Sequence, residues 1–139
     1  MLKIGAWPRI NMLKTRSVWS PPKKGDGLRI LVSRFRGRGL PTGQYDAWMP
    51  ALGPSEELLR AIQSGAIDWN TYTKRYREEL FLDGPIDARN RTIKNHGQKS
   101  TLRLLKALAE RQNVTLMCHC AEDATECHRF ILVKEIERV

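Results

Sequence analysis

Two stretches of branched apolar residues predict the central strands of the fold. The first covers residues 28–35 and follows a Gly-Asp-Gly turn, and the second covers residues 114–120. Short apolar runs bounded by turn residues are typical of buried strands. A weaker third strand is expected at either residues 2–7 or residues 16–19.

Between these strands the apolar positions recur every three or four residues, which predicts helices. Ser55 can cap the first helix and Asp68 the second, because their side-chain oxygens can accept a hydrogen bond from the free amides of the first turn. Gly65 lies where the first helix should end. The apolar stripe of the second helix is predicted to be core rather than a cofactor site: Trp69, Tyr72, Tyr76 and Leu80.

Two more helices complete the pattern. One begins at Ser100 and leads directly into the strand at 114–120, and the other follows that strand. Asp123 with Glu126 three residues later has the spacing of a capping box, so the last helix is expected to begin at Asp123. This start would place Cys127, His128 and Arg129 in its first two turns.

These elements predict an α/β fold, with residues 1–139 forming a single compact domain and a small, mainly parallel sheet flanked by helices. The length of 139 residues, with 41% hydrophobic and 28% charged residues, fits one globular core. We expect strands 28–35 and 114–120 to be parallel neighbours. Their carboxyl ends would then share one crevice, where open α/β folds bind ligands.

The net charge narrows the class of partner. Lys and Arg number 24 against 15 Asp and Glu, a formal net charge of +9, and such an excess attracts polyanions. The basic residues are spread along the chain rather than gathered in one run. We expect a phosphate-bearing ligand or nucleic acid as the partner, and nothing in the sequence indicates the oligomeric state.

The apolar stretches and the cysteines indicate the cellular compartment of the protein. No apolar stretch approaches the ~18 residues needed to span a bilayer, and the first residues lack the apolar core of a signal peptide. The three cysteines are odd in number and lie between positions 118 and 127, which fits a reducing compartment better than a disulfide framework. A cytoplasmic protein without a membrane partner is expected.

The segment after the first strand is rich in arginine and glycine. Arg34, Arg36 and Arg38 follow one another at alternate positions, and Gly39 comes next. Glycines let backbone amides approach a phosphate, and arginine forks bind its oxygens in pairs, so these four residues are candidate ligand-binding residues. The alternative is a basic turn that pairs with carboxylates such as Asp46.

The second candidate segment lies at the end of the chain's second strong strand. Side chains alternate along a strand, so Cys118 and Cys120 should face one way. Cys120, at the strand end and facing a helix N-terminus, is expected to have thiolate character and is a candidate nucleophile. Cys127 and His128 are the other candidate catalytic residues, with histidine suited to acid–base work, and Arg129 is a candidate anion ligand.

The same residues are also candidates for binding a metal or a cofactor, and their spacing decides between these uses. The cysteines and His128 supply enough ligands for tetrahedral zinc, but neighbouring Cys127 and His128 on a helix would diverge by about 100°. No metal ligands are therefore predicted. The Gly-Arg segment has Thr42 where a dinucleotide fingerprint needs glycine, so no cofactor is predicted either.

Several motifs in order resemble one known family. Residues 26–34 with Arg38-Gly39 are similar to the "DGxRxLVDRxWPRG" opening of the domain of unknown function 488 family, and residues 76–80 resemble its "YRxEL". The final strand, acidic loop and Cys-His-Arg also match. Two departures are Arg36-Gly37 in place of Trp-Pro, and Ser33 in place of Asp. The resemblance implies a compact α/β domain with no agreed activity.

Three functions remain open at this point. The first is a phosphate-recognising protein, either an enzyme or a binding protein, that acts on a nucleotide or nucleic acid, with arginines holding the anion beside His128. The second is a non-catalytic nucleic-acid-binding module that uses the basic loop at 89–99. The third is a thiol redox or metal protein built on the three cysteines. We also expect the segment 83–98 to be an exposed loop near the site.

Overall fold

The computed structural model describes residues 12–83 and 96–139. Its strands are β1 (Leu13–Ser17), β2 (Leu28–Leu31), β3 (Ala47–Trp48) and β4 (Val114–Cys118). Its α-helices are α1 (Glu56–Gln63), α2 (Trp69–Leu80), α3 (Lys99–Ala109) and α4 (His128–Arg138). The predicted α/β fold is confirmed.

The four strands form one parallel sheet in the order β1-β4-β2-β3. β4 is central, and all five of its residues are buried. Leu28 pairs with Val114 and Leu31 with Met117, so the predicted parallel pairing of the two main strands is confirmed. The carboxyl ends of β1, β2 and β4 consequently lie at one edge.

The strand bounds differ from the prediction in four ways, one of which is that β4 ends at Cys118 rather than at residue 120. β2 ends at Leu31 rather than at residue 35, because the chain turns away after Val32, whose amide still bonds the Met117 carbonyl at 2.8 Å. The weak first strand lies at Leu13–Ser17, overlapping only the start of 16–19, while residues 2–7 lie outside the described residues. The two-residue β3 was not predicted.

The helix caps show where local sequence decides the structure. The Ser55 side chain accepts from the Leu58 amide and the Asp68 side chain from the Thr71 amide, as predicted. α3 begins at Lys99, one residue earlier than predicted. Gly65, just past α1, has φ +79°, the left-handed conformation that glycine adopts easily.

The predicted start of the last helix is wrong. α4 begins at His128 with Cys127 as its N-cap, not at Asp123. The carboxylate of Glu122 instead accepts from the Ser17 amide at 3.1 Å and from the Ser20 hydroxyl. These contacts with the end of β1 hold the segment after β4 out of a helix, and the sequence pattern of a capping box cannot show them.

The helices cover one face of the sheet. Ile30, Val32, Val114 and Leu116 lie in the same apolar cluster as the buried residues of all four helices. The opposite face carries a smaller cluster made by residues of strands and loops, Val18, Leu31, Leu40 and Met117. None of the helices in the described ranges is long and apolar enough to cross a membrane.

One ion pair near the start of β2 yields a prediction about stability and pH. Asp26 is 4% exposed, accepts from the Lys23 amide at 2.8 Å and pairs with Arg16 at 2.9 Å. Burial raises the pKa of Asp26, but the Lys23 and Arg16 contacts outweigh it and hold the pKa below its usual value. Its stabilisation is therefore present above the unfolded pKa and is lost as pH falls through the lower folded pKa.

We expect Asp26→Asn to lose about 1.5–3 kcal/mol of stability at neutral pH, the usual contribution of hydrogen bonds to a charged group. The deficit should begin to shrink as pH falls below about 4, where the unfolded wild-type chain takes up a proton at Asp26, and should vanish once the folded carboxylate is protonated as well. Urea denaturation of both proteins across this pH range measures it. A deficit independent of pH would mean that Asp26 contributes packing rather than charge.

Candidate functional site

The edge formed by the carboxyl ends of β2 and β4 brings together the two segments singled out from the sequence. Ser33 and Arg34 follow β2, Cys120 follows β4, and Cys127 caps α4. His128 bonds across from α4 to the end of β2, with Nε2 at 2.8 Å from the Val32 carbonyl oxygen. The composite site therefore depends on the pairing of β2 with β4.

The three cysteines gather at this edge. The sulfurs of Cys118 and Cys127 lie 2.8 Å apart, and the Cys120 amide donates to the Cys118 sulfur at 3.4 Å. Cys118 and Cys127 are buried, whereas Cys120 is half-buried. Cys120 is thus the most accessible of the three thiols.

Protons are shared unequally among these thiols. The thiols of Cys118 and Cys127 donate to Cys120 and hold the pKa of Cys120 below its usual value, and the positive charge of Arg129 lowers it further. The same donated bonds, together with burial, raise the pKa of Cys118. Negative charge in the cluster therefore collects on Cys120.

His128 is held in one tautomer. A carbonyl oxygen only accepts, so Nε2 carries the hydrogen that bonds Val32, and Nδ1 keeps its lone pair. Nδ1 lies 3.8 Å from the Cys127 sulfur. Burial lowers the pKa of His128 below its usual value, so the ring is neutral at physiological pH.

Arg129 lies beneath the site. It is 1% exposed, and its Nη2 donates to the carbonyl oxygens of Ala121 and Glu122 at 3.0 and 3.4 Å. Its Nε and Nη1 atoms are buried without a hydrogen-bond partner. A buried cation with free donors calls for a nearby negative charge, and Arg129 lies close enough to lower the pKa of Cys120.

The other arginines are placed differently from one another. Arg34 bonds the carbonyls of Pro54 and Gly53 at 2.8 and 3.3 Å and lines a cavity at the site. Arg36 turns to the Tyr45 hydroxyl at 2.6 Å. Arg38 and Gly39 are exposed, and neither they nor Arg36 are among the described residues that line the two cavities beside Cys120.

Two cavities meet at Cys120 and His128. One has a volume of about 250 Å³ and includes Arg34 and Phe35 in its wall. The other has a volume of about 230 Å³ and is lined on its far side by apolar residues of α1 and α2, among them Trp69. A small molecule with one polar end fits spaces of this kind.

A larger cavity of about 540 Å³ lies elsewhere, among Phe81, Asp83, His96, Lys99, Arg103, Arg138 and Val139. It is open to solvent and contains no nucleophilic thiol. Most of the predicted loop at 83–98 and of the basic segment at 89–99 lies outside the described residues. We therefore place the candidate site at the cysteine cluster despite its smaller volume.

The sequence reasoning missed some of the site's contacts. Cys118 is buried, and its sulfur contacts both the Cys127 sulfur and the Cys120 amide. His119 also has a defined role, because the Trp19 indole donates to its Nδ1 at 3.0 Å and its Nε2 donates to the Arg36 carbonyl at 2.8 Å. Strand alternation indicated the shared face of Cys118 and Cys120, but no local signal indicates the pairing of Trp19 with His119.

The geometric objection to a metal site does not hold in the structure. Cys127 is extended, with φ −152° and ψ 145°, rather than helical. The ligand atoms of Cys118, Cys127 and His128 consequently lie within 4.8 Å of one another. The divergence expected of adjacent helical residues is absent because α4 begins at His128, so Cys127 is its N-cap and not a helical residue.

The fold and site define a class: a small parallel α/β protein with a Cys-His-Arg cluster at the carboxyl edge of its sheet. The chain belongs to the DUF488 family, since a family model described as "Active DUF488-N3 subclade" matches residues 13–138. It is also 28% identical over 122 residues to the uncharacterized protein YeaO of Escherichia coli (strain K12), covering 86% of this chain and 92% of YeaO. No solved structure matches the chain.

Proposed function

We propose that this protein is an enzyme that acts on a small phosphate-bearing substrate, a nucleotide or the end of a nucleic acid, with Cys120 as the reacting group. One observation carries the proposal: the two cavities at the carboxyl edge of the sheet meet at Cys120 and His128. Cys120 is the accessible thiol of the cluster. Reactive cysteines are typically partly exposed and in electropositive surroundings.

The charge around the cavities supports an anionic substrate. Arg34 lines the cavity next to Cys120, and the buried charge of Arg129 lies behind it. The net charge of +9 adds a field that attracts phosphate groups. In this proposal Arg34 contacts the anion and Arg129 contributes charge from below, whereas Arg36, Arg38 and Gly39 lie outside the lining of the two cavities.

Cys127 and His128 take supporting roles in this proposal. His128 Nε2 is bonded to the Val32 carbonyl, so this nitrogen cannot exchange a proton with substrate without breaking that bond. Cys127 is buried and lies against both Cys118 and His128. We assign both residues to fixing the position and environment of Cys120. The description of the matching subclade as active fits an enzyme.

A substrate-protection experiment tests the proposal. We expect iodoacetamide to label Cys120 at least about tenfold faster than Cys118 or Cys127, because Cys120 is half-buried whereas the other two thiols are buried. Inorganic phosphate, nucleoside monophosphates and short oligonucleotides are then added in turn, and labelling of each cysteine is followed by peptide mass spectrometry. At least one of these anions should slow the labelling of Cys120.

Two arginine variants sharpen the experiment. Arg34→Met should remove the protection, whereas Arg60→Met should leave it unchanged, since Arg60 is exposed on α1 and has Glu56 as its one salt-bridge partner among the described residues. Unchanged melting temperatures show that both variants fold. If no anion protects Cys120 in the wild type, or if Arg34→Met is protected equally well, the substrate assignment is wrong.

A further inference from the structure

We infer that Cys118, Cys127 and His128 form a binding site for zinc at the floor of the crevice. Their three ligand atoms lie within 4.8 Å of one another, a distance that lets one ion contact all three. Thiolate sulfur and imidazole nitrogen are the ligands that zinc favours. The inference rests on this cluster and not on the proposed reaction of Cys120.

The surroundings of His128 match those of a metal-ligating histidine. Such a histidine usually donates its second ring N–H to a carboxylate or a carbonyl, which fixes the tautomer and directs the other nitrogen at the metal. His128 does this through Nε2 and the Val32 carbonyl, at 2.8 Å. Nδ1 keeps its lone pair on the side of Cys127, 3.8 Å from the Cys127 sulfur, where it can coordinate a metal ion.

The charges at the site are also consistent with zinc. The cluster is buried, with Cys118, Cys127 and His128 at 1%, 3% and 8% exposure, so an ion there needs compensation. Two thiolates neutralise Zn²⁺, and Arg129 then leaves one positive charge nearby with two free buried donors. That charge favours an anion, hydroxide or substrate, at the remaining coordination position.

The number of ligands indicates which kind of zinc site this is. Structural zinc sites are closed by four protein ligands, whereas catalytic sites have three and keep one position open. Cys120 is not part of the group of three, and His128 lines both cavities. The open position would therefore face the space proposed for the substrate, where a bound ion supplies Lewis acidity.

Binding requires a small rearrangement. Two sulfurs on tetrahedral zinc lie roughly 3.8 Å apart, given Zn–S bonds of about 2.3 Å, whereas the Cys118 and Cys127 sulfurs lie 2.8 Å apart. Binding therefore requires the two sulfurs to separate by about 1 Å, and we expect Cys127, which caps α4 at the end of a loop, to be the residue that shifts. Two sulfurs this close could instead form a disulfide, and the experiment below distinguishes zinc binding from a Cys118–Cys127 disulfide.

Cobalt titration of the reduced protein tests the site. Co²⁺ replaces zinc and reports its ligands, so we expect a sulfur-to-cobalt charge-transfer band and the visible bands of a tetrahedral ion, at one equivalent, with zinc displacing the cobalt. Cys118→Ser, Cys127→Ser and His128→Gln should each weaken binding by about 100-fold or more, beyond the 10–100-fold typical of outer-shell changes. Cys120→Ser and His119→Ala are matched controls that should bind within about threefold of wild type.

A second readout uses the unmutated protein, in case a variant fails to fold. One equivalent of zinc should protect Cys118 and Cys127 from alkylation in mildly denaturing urea, and should raise the melting temperature until EDTA is added. Absence of the charge-transfer band, or equal loss of binding in Cys120→Ser, overturns the three-ligand site. The site is also overturned if the protein, isolated without reductant, contains a Cys118–Cys127 disulfide and takes up no cobalt after that disulfide is reduced. Protection of Cys120 by anions could persist in each case, so the two proposals fail separately.

Discussion

Replacing Gly27 by alanine is expected to remove roughly 3 kcal/mol or more of folding stability. Gly27 has φ +65° and ψ −136°, a region that side chains with a Cβ rarely enter. A Cβ at this position would lie 2.0 Å from the Asn113 carbonyl oxygen. That oxygen accepts the Leu28 amide at 2.9 Å, so the backbone cannot move aside without breaking the first bond between β2 and β4.

The position of Gly27 explains why this effect should reach the site. The same stretch is tied to β4 by the Thr115 hydroxyl, which donates to the Asp26 carbonyl at 2.7 Å. These contacts set the register in which Leu28 pairs with Val114. A shifted β2 would carry Val32 and Arg34 away from His128 at the other end.

Gly65→Ala is the matched control for this prediction. Gly65 also has a positive φ, +79°, but a Cβ there meets nothing within 4 Å. It should cost only about 1–2 kcal/mol, the conformational term alone. Urea denaturation followed by circular dichroism measures both variants, and similar losses in the two would contradict the steric role given to Asn113.

Local chemistry explains most of what the sequence predicted about the fold. Ser55 and Asp68 cap helices because their side chains reach amides three residues ahead. The apolar run at 28–35 gave the existence of β2 but not its end, because its last bond depends on Met117 in another strand. The two-residue β3 has too few residues for any periodicity.

The position of the candidate site at the edge of the sheet was predictable from the sequence, but the arrangement of its side chains was not. The adjacency of β2 and β4 put Arg34, Cys120 and His128 at one edge, as expected. The start of α4 was missed because Glu122 bonds Ser17 and Ser20, which lie about a hundred residues earlier in the chain. That error weighed against zinc ligands, since it placed Cys127 on a helix, although a metal protein stayed among the open alternatives.

Arg129 illustrates a second limit of sequence reasoning. Its place near a helix N-terminus indicated an anion ligand but not how far the side chain is buried. The structure buries it and ties it to the carbonyls of Ala121 and Glu122. Its charge lowers the pKa of Cys120 and of Glu122, and its role as an anion ligand stays a prediction.

Tyr76 links the stability of the core to the position of His128. It is fully buried, its hydroxyl donates to the Leu52 carbonyl, and its ring meets the His128 ring edge-on at 5.6 Å and 82°. Its ring is also stacked on Tyr72 at 6.1 Å. The hydroxyl and the ring therefore have separable roles, one in the fold and one in holding the imidazole.

We expect Tyr76→Phe to lose about 1–3 kcal/mol of stability, because the buried Leu52 carbonyl is left without its donor, while cobalt affinity stays within about threefold of wild type. Tyr76→Ala should lose about 3–5 kcal/mol and weaken cobalt binding by about 10–100-fold, as loss of a group that orients a metal ligand does. Urea denaturation and cobalt titration measure the two quantities on each variant. Equal losses of affinity in both variants would assign the positioning of His128 to the hydroxyl, and unchanged affinity in Tyr76→Ala would show that the Val32 carbonyl alone fixes the ring.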